Sequence, residues 1–248
     1  MRFCIVNEST EKTLTEAIEV KIASAVQEQV CRDYASLWQA AGVAVRSVAK
    51  ESEALSDECI IVLLDNADQA GALGYHDVTP SGRPYSRIFV ETILSGGGNL
   101  IADGNSVSVC ISHEVLEALV DPYCNFYADN IDGSIQYAVE IADPVESDFY
   151  MIGGVAVSNF VGPRWFDPLD TSGPFDQMSV LTRPFQLSAG GYVISREPGK
   201  AAISTFGKNY PKEKQWKKDA LKFFETFTIG EKSRIKPSTL KSRAARRF

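Results

Sequence analysis

Long apolar runs, paired cysteines and histidines are what this chain has least of. No stretch approaches the roughly 18 consecutive apolar residues of a membrane-spanning helix. The first residues, Met1 to Val6, run directly into polar Asn7, Glu8, Ser9 and Thr10, so the start has no signal-peptide core. The five cysteines (Cys4, Cys31, Cys59, Cys110 and Cys124) are odd in number, scattered and never spaced Cys-x-x-Cys. That usage suits buried free thiols in a reducing compartment better than a disulfide frame. The expectation is a protein that is soluble, cytoplasmic at synthesis, and without membrane contact. Gly-x-Ser-x-Gly is absent, and two histidines in 248 residues give little support to a Ser-His-Asp triad.

Charge is present but unevenly placed. From Gly199 onward lie fourteen of the 25 Lys/Arg and four of the 32 Asp/Glu, which leaves 11 basic and 28 acidic residues before it. An acidic body thus carries a basic tail. Such a tail suits contact with an acidic surface, either nucleic acid or another copy of the body in a homo-oligomer or larger assembly.

Apolar periodicity organises the rest. Residues 3–6 read as a short buried strand, and residues 13–39 as one long helix with Leu14, Ile18, Ile22, Val26, Val30 and Leu37 at three- and four-residue intervals. Residues 43–48 alternate as a strand, and 58–64 form an apolar run that suits a central strand covered on both faces. Residues 72–75 and 85–91 read as strands around a Pro80-Ser81-Gly82-Arg83-Pro84 turn. Ser95-Gly96-Gly97-Gly98-Asn99 reads as a turn, since no Lys-Ser/Thr follows to make it a phosphate cradle. After Tyr150 the chain becomes β- and loop-rich, and residues 212–227 read as a last amphipathic helix. The expected division is 1–150 as an α/β domain, 151–198 as an extension packed on it, and 199–248 as basic helix and tail.

The chemistry concentrates in Ser112-His113-Glu114-Val115-Leu116-Glu117, ended by Asp121-Pro122. On a helix, positions i and i+4 project side by side, so His113 and Glu117 can hold one metal ion while Glu114 stands beside it to handle a proton. This is the His-Glu-x-x-His metalloprotease helix with its second histidine replaced by glutamate. A catalytic-type zinc site needs three protein ligands and an open position. The third is expected from Glu140 or Asp143, two acids among Ala, Val and Ile that are costly to bury without a cation. His76 is expected on the surface of a strand, and Cys110 and Cys124 as buried thiols rather than ligands.

The element order resembles the N-terminal part of zincin metalloproteases, and the resemblance implies an α+β fold with a mixed sheet, a long N-terminal helix and a metal-site helix. The motifs also resemble the metallopeptidase-like core of the plant Exordium (phosphate-induced) proteins, and more closely a set of bacterial and phage proteins. The matching residues are His113, Glu114, Glu117, Asp121 and Pro122, then Tyr137, Glu140, Asp143 and Glu146, then Val157, Ser158, Asn159, Phe160, Pro163, Trp165 and Phe166. The resemblance implies a zincin-like fold and, through its phage members, a virion or neck component as one possible role.

Two functions follow as expectations. In the first, a divalent metal, zinc foremost, polarises a peptide or amide carbonyl and acidifies water, with Glu114 as general base and Tyr127 or Tyr137 as oxyanion donor. In the second, the chain is a structural or assembly protein that keeps the fold without turnover. Glu117 favours slow chemistry or a structural ion, because each added anion makes the metal a poorer Lewis acid.

Overall fold

The computed structural model describes residues 1–69 and 72–207. The helix expected over 212–227 and most of the basic tail lie outside the described residues. In chain order the elements are β1 (Arg2–Asn7), α1 (Glu16–Glu28), a π-helical stretch (Gln29–Tyr34), α2 (Ala35–Leu37), β2 (Val45–Val48), β3 (Glu58–Leu64), β4 (Gly74–Val78) and β5 (Pro84–Phe89). Then come α3 (Val90–Ser95), α4 (Val107–Val120), β6 (Tyr127–Asp129), β7 (Gln136–Ala138), β8 (Phe149–Ile152), β9 (Val155–Ser158), β10 (Tyr192–Arg196) and β11 (Ile203–Phe206). The protein is a mixed α+β fold with few helices.

The main sheet has the order β2-β1-β3-β5-β4. Strands β2, β1, β3 and β5 run parallel, while β4 is an antiparallel edge. Period-two alternation sorts the side chains of the central strands. Phe3, Ile5, Cys59, Ile61 and Leu63 enter the main core with the apolar faces of α1 and α4. Cys4, Val6 and Ile60 point to the other face, where Val48 joins them in a smaller cluster. A second, antiparallel sheet of order β11-β10-β7-β6 packs Ala138, Tyr192 and Ile194 against Tyr75 and Phe89 at the β4–β5 end. Strands β8 and β9 form a hairpin turned by Gly153 and Gly154, both at positive φ (55° and 77°).

The long helix expected over 13–39 is interrupted. Regular α-helix ends at Glu28, and a wider π turn carries Gln29, Val30, Asp33 and Tyr34 inward. A polar anchor stands at its start. Gln29 Nε2 donates to the Ser158 carbonyl at 2.8 Å and to Tyr150 Oη at 3.1 Å, which ties this part of the helix to β8 and β9. The strand expected over 85–91 stops at Phe89, and α3 follows at once, closed by Gly96 and Gly97.

Helix α4 is buried on nearly every side. The Ser106 side chain accepts from Val109 N–H at its start. At its end Asp121 leaves helical geometry (φ −131°, ψ 67°), and its carboxylate accepts from the N–H groups of Asn125 and Phe126, each at 2.9 Å.

Candidate metal centre

Helix α4 is pinned to β9 by its serines, and this fixes the rotation of the helix. Ser108 Oγ donates to the Ala156 carbonyl at 2.7 Å. Ser112 Oγ accepts from Ser158 N–H at 3.0 Å and donates to Gln29 Oε1 at 2.6 Å. The residue after Ser112 is His113, so the network through Gln29 and Ser158 also fixes the part of the helix that carries the imidazole.

His113 Nε2 lies 3.2 Å from Glu117 Oε1 one helical turn on, and 3.3 Å from Asp143 Oδ1. Asp143 opens a 3₁₀ turn, Asp143–Val145, with Pro144 at its second position. The turn is held in place by Ser188 N–H, which donates to the Pro144 carbonyl at 3.0 Å, and by the close approach of Gly191. Asp143 is 0 % exposed, and neither of its carboxylate oxygens accepts a hydrogen bond. His113, Glu117 and Asp143 thus offer three ligand atoms within 4.8 Å of one another. Glu140 is also buried but belongs to neither group of three that can hold an ion.

The second histidine is where sequence reasoning went astray. His76 is not on the surface: it is 1 % exposed, on β4, facing α4. Its Nε2 lies 3.1 Å from the Asp121 carbonyl oxygen, which can only accept, so Nε2 carries the proton. Its Nδ1 lies 3.2 Å from Glu114 Oε2 and 3.8 Å from Glu117 Oε2. His76, Glu114 and Glu117 form a buried cluster that can hold a metal ion. A sequence signal existed. Gly74 shares a strand face with His76, and a Cβ there would meet Cys110 Sγ of α4 at 2.6 Å, so this face of the edge strand is pressed against the helix.

The cysteines stay outside both groups of three. None of the five is joined in a disulfide; Cys4, Cys59 and Cys124 are buried, Cys110 is half-buried and Cys31 is exposed. Burial pushes the Cys59 thiol up to about 12, with Arg83 opposing and Glu114 adding to the shift, so it remains protonated at neutral pH. Cys124 Sγ donates to the His76 carbonyl oxygen at 3.5 Å. Of the two tyrosines considered as donors, Tyr137 stacks on Phe185 with ring centroids 4.4 Å apart, and Tyr127 lies under the Arg196 guanidinium at 3.6 Å. Trp165 is fully buried and donates from Nε1 to the Gln186 carbonyl at 2.8 Å.

No protein-family model, curated protein or solved structure matches this chain. Among the described residues, no helix is long and apolar enough to cross a membrane.

Proposed function

We propose that this chain is a zincin-like metal-binding protein in which His113, Glu117 and Asp143 hold a divalent ion, zinc foremost, whose first role is to tie the Asp143 turn to α4. The observation that carries this reading is Asp143. A carboxylate that is 0 % exposed and accepts no hydrogen bond costs several kcal/mol unless a cation compensates it, and the histidine beside it is itself a ligand type. The antiparallel edge strand beside the helix with the metal motif supports a zincin-like arrangement. Three protein ligands would leave a fourth position open, but all three are buried, which keeps an ion there away from bulk solvent and suits a structural role. The basic segment from Gly199 fits this role as a contact to the acidic body of a neighbouring copy or to nucleic acid, within an assembly such as a virion.

A second reading, a metal-dependent peptidase or amidase, is favoured by the order His113-Glu114-x-x-Glu117, which sets a carboxylate beside the ion. Bound metal would polarise a carbonyl and acidify water there. Glu114 as general base would have to leave His76, which stands 3.2 Å from it in a site closed to solvent. The test is metal analysis of the purified full-length protein, with a peptidase assay on it and on Glu114→Gln. One or more equivalents of zinc without hydrolysis supports the structural ion. Hydrolysis that Glu114→Gln abolishes supports the enzyme, and a metal-free protein with an unchanged melting curve in excess zinc would defeat both.

A further inference from the structure

We infer that the centre is dinuclear: two divalent cations share the Glu117 carboxylate, one held with His113 and Asp143, the other with His76 and Glu114. The inference rests on the metal-binding reading above and extends it to a second ion.

The first observation is how Glu117 divides its oxygens. Oε1 lies 3.2 Å from His113 Nε2, and Oε2 lies 3.8 Å from His76 Nδ1. A carboxylate that turns one oxygen to each of two ligand sets has the geometry of a bridge, as in two-metal sites with ions about 3.5–4 Å apart.

The second is the tautomer of His76. Its Nε2–H is committed to the Asp121 carbonyl, so a neutral ring turns the Nδ1 lone pair toward Glu114 Oε2 and Glu117 Oε2. Acceptors face one another in this way only with a proton, carried by Nδ1 or by the Glu114 carboxyl, or a metal ion between them. The carbonyl behind Nε2 is the outer partner that metal-bound imidazoles ordinarily have.

The third is charge. Glu114, Glu117 and Asp143 are each at most 2 % exposed. Ionised together they carry three negative charges; one divalent ion leaves the site at −1 and two leave it at +1, so the charge accommodates a second ion as well as it does a single one. On this arrangement Glu114 is a metal ligand, and the second histidine that the His-Glu-x-x-Glu motif lacks is supplied by the edge strand.

The test uses full-length protein stripped with chelator and titrated with cobalt(II), with bound metal per chain measured after desalting. Electron paramagnetic resonance is recorded at one and two equivalents. The expected result is two cobalt per chain in the wild type, with a signal per ion that falls at the second equivalent through coupling across Glu117. His76→Ala should bind one, with an uncoupled signal. One cobalt per chain in both proteins would overturn the dinuclear site and leave a proton between His76 and Glu114, while the single-ion reading would stand. No bound cobalt in the wild type would overturn both. If His76→Ala fails to fold, the wild-type stoichiometry and coupling decide alone.

Discussion

Replacing Asp143 by asparagine keeps the shape of the side chain and removes its charge, and the sign of the effect depends on whether an ion is present. Asp143 and Glu117 offer ligand oxygens within 4.8 Å of each other. At that separation, with an effective dielectric near 20, two bare carboxylates repel by about 3 kcal/mol. Without metal, Asp143→Asn therefore relieves repulsion and should stabilise the fold. With metal, the substitution removes one of three ligands. A hundredfold loss of affinity at saturating metal would cost about 2.7 kcal/mol, which for a domain of this size is about 5–11 °C in melting temperature. Calorimetry of both proteins, with zinc and with excess chelator, should show a crossing: the wild type melts higher with zinc, the variant melts higher in chelator. A variant more stable than the wild type under both conditions would refute the reasoning, since Asp143 would then be a buried charge with no ion to compensate it.

Three further outcomes follow from contacts around the site. Ser112→Ala should lower stability by about 2–3 kcal/mol in urea unfolding, because it leaves Ser158 N–H and Gln29 Oε1 buried without their partner; a change within about 0.5 kcal/mol would show that the network does not anchor α4. Gly191→Ala puts a Cβ 1.9 Å from the Pro144 carbonyl oxygen, so the Asp143 turn must move; zinc affinity measured by competition with a chelating dye should fall at least tenfold, and an unchanged affinity would dissociate the turn from the ion. The bidentate pairing with Arg46 holds the Glu58 carboxyl down at about 2, against an ordinary 4.5. Its stabilisation is complete above about pH 4.5 and is lost as pH falls toward 2, so Glu58→Gln should flatten that part of the acid limb of stability against pH, and an identical acid slope would remove the pair from the account.

What the sequence made legible is what depends on spacing along one element. The apolar run of β3 and the His113/Glu117 pair on α4 need only a two-residue or four-residue period, and both stand where the pattern placed them. Asp143 and Glu140 stood out as acids among apolar neighbours, yet spacing alone left them equivalent. The distinction comes from the 3₁₀ turn, which rests on Ser188 and Gly191 far along the chain. His76 was misjudged for a related reason: alternation shows which residues share a strand face, not which face another element covers. The π turn at Gln29 was hidden as well: the carbonyl that Gln29 meets there belongs to Ser158, 129 residues away. The basic tail was legible as charge, and beyond Gly207 it lies outside the described residues.

The most direct measurement of the central claim is an anomalous difference map from crystals of the zinc-loaded full-length protein, recorded on both sides of the zinc absorption edge. The expected result is a peak bonded to His113 Nε2 and to carboxylate oxygens of Glu117 and Asp143, at the roughly 2.0–2.2 Å distances of zinc–nitrogen and zinc–oxygen ligation. His113 in direct hydrogen-bond contact with Asp143 and Glu117, with no anomalous density between them, would contradict it.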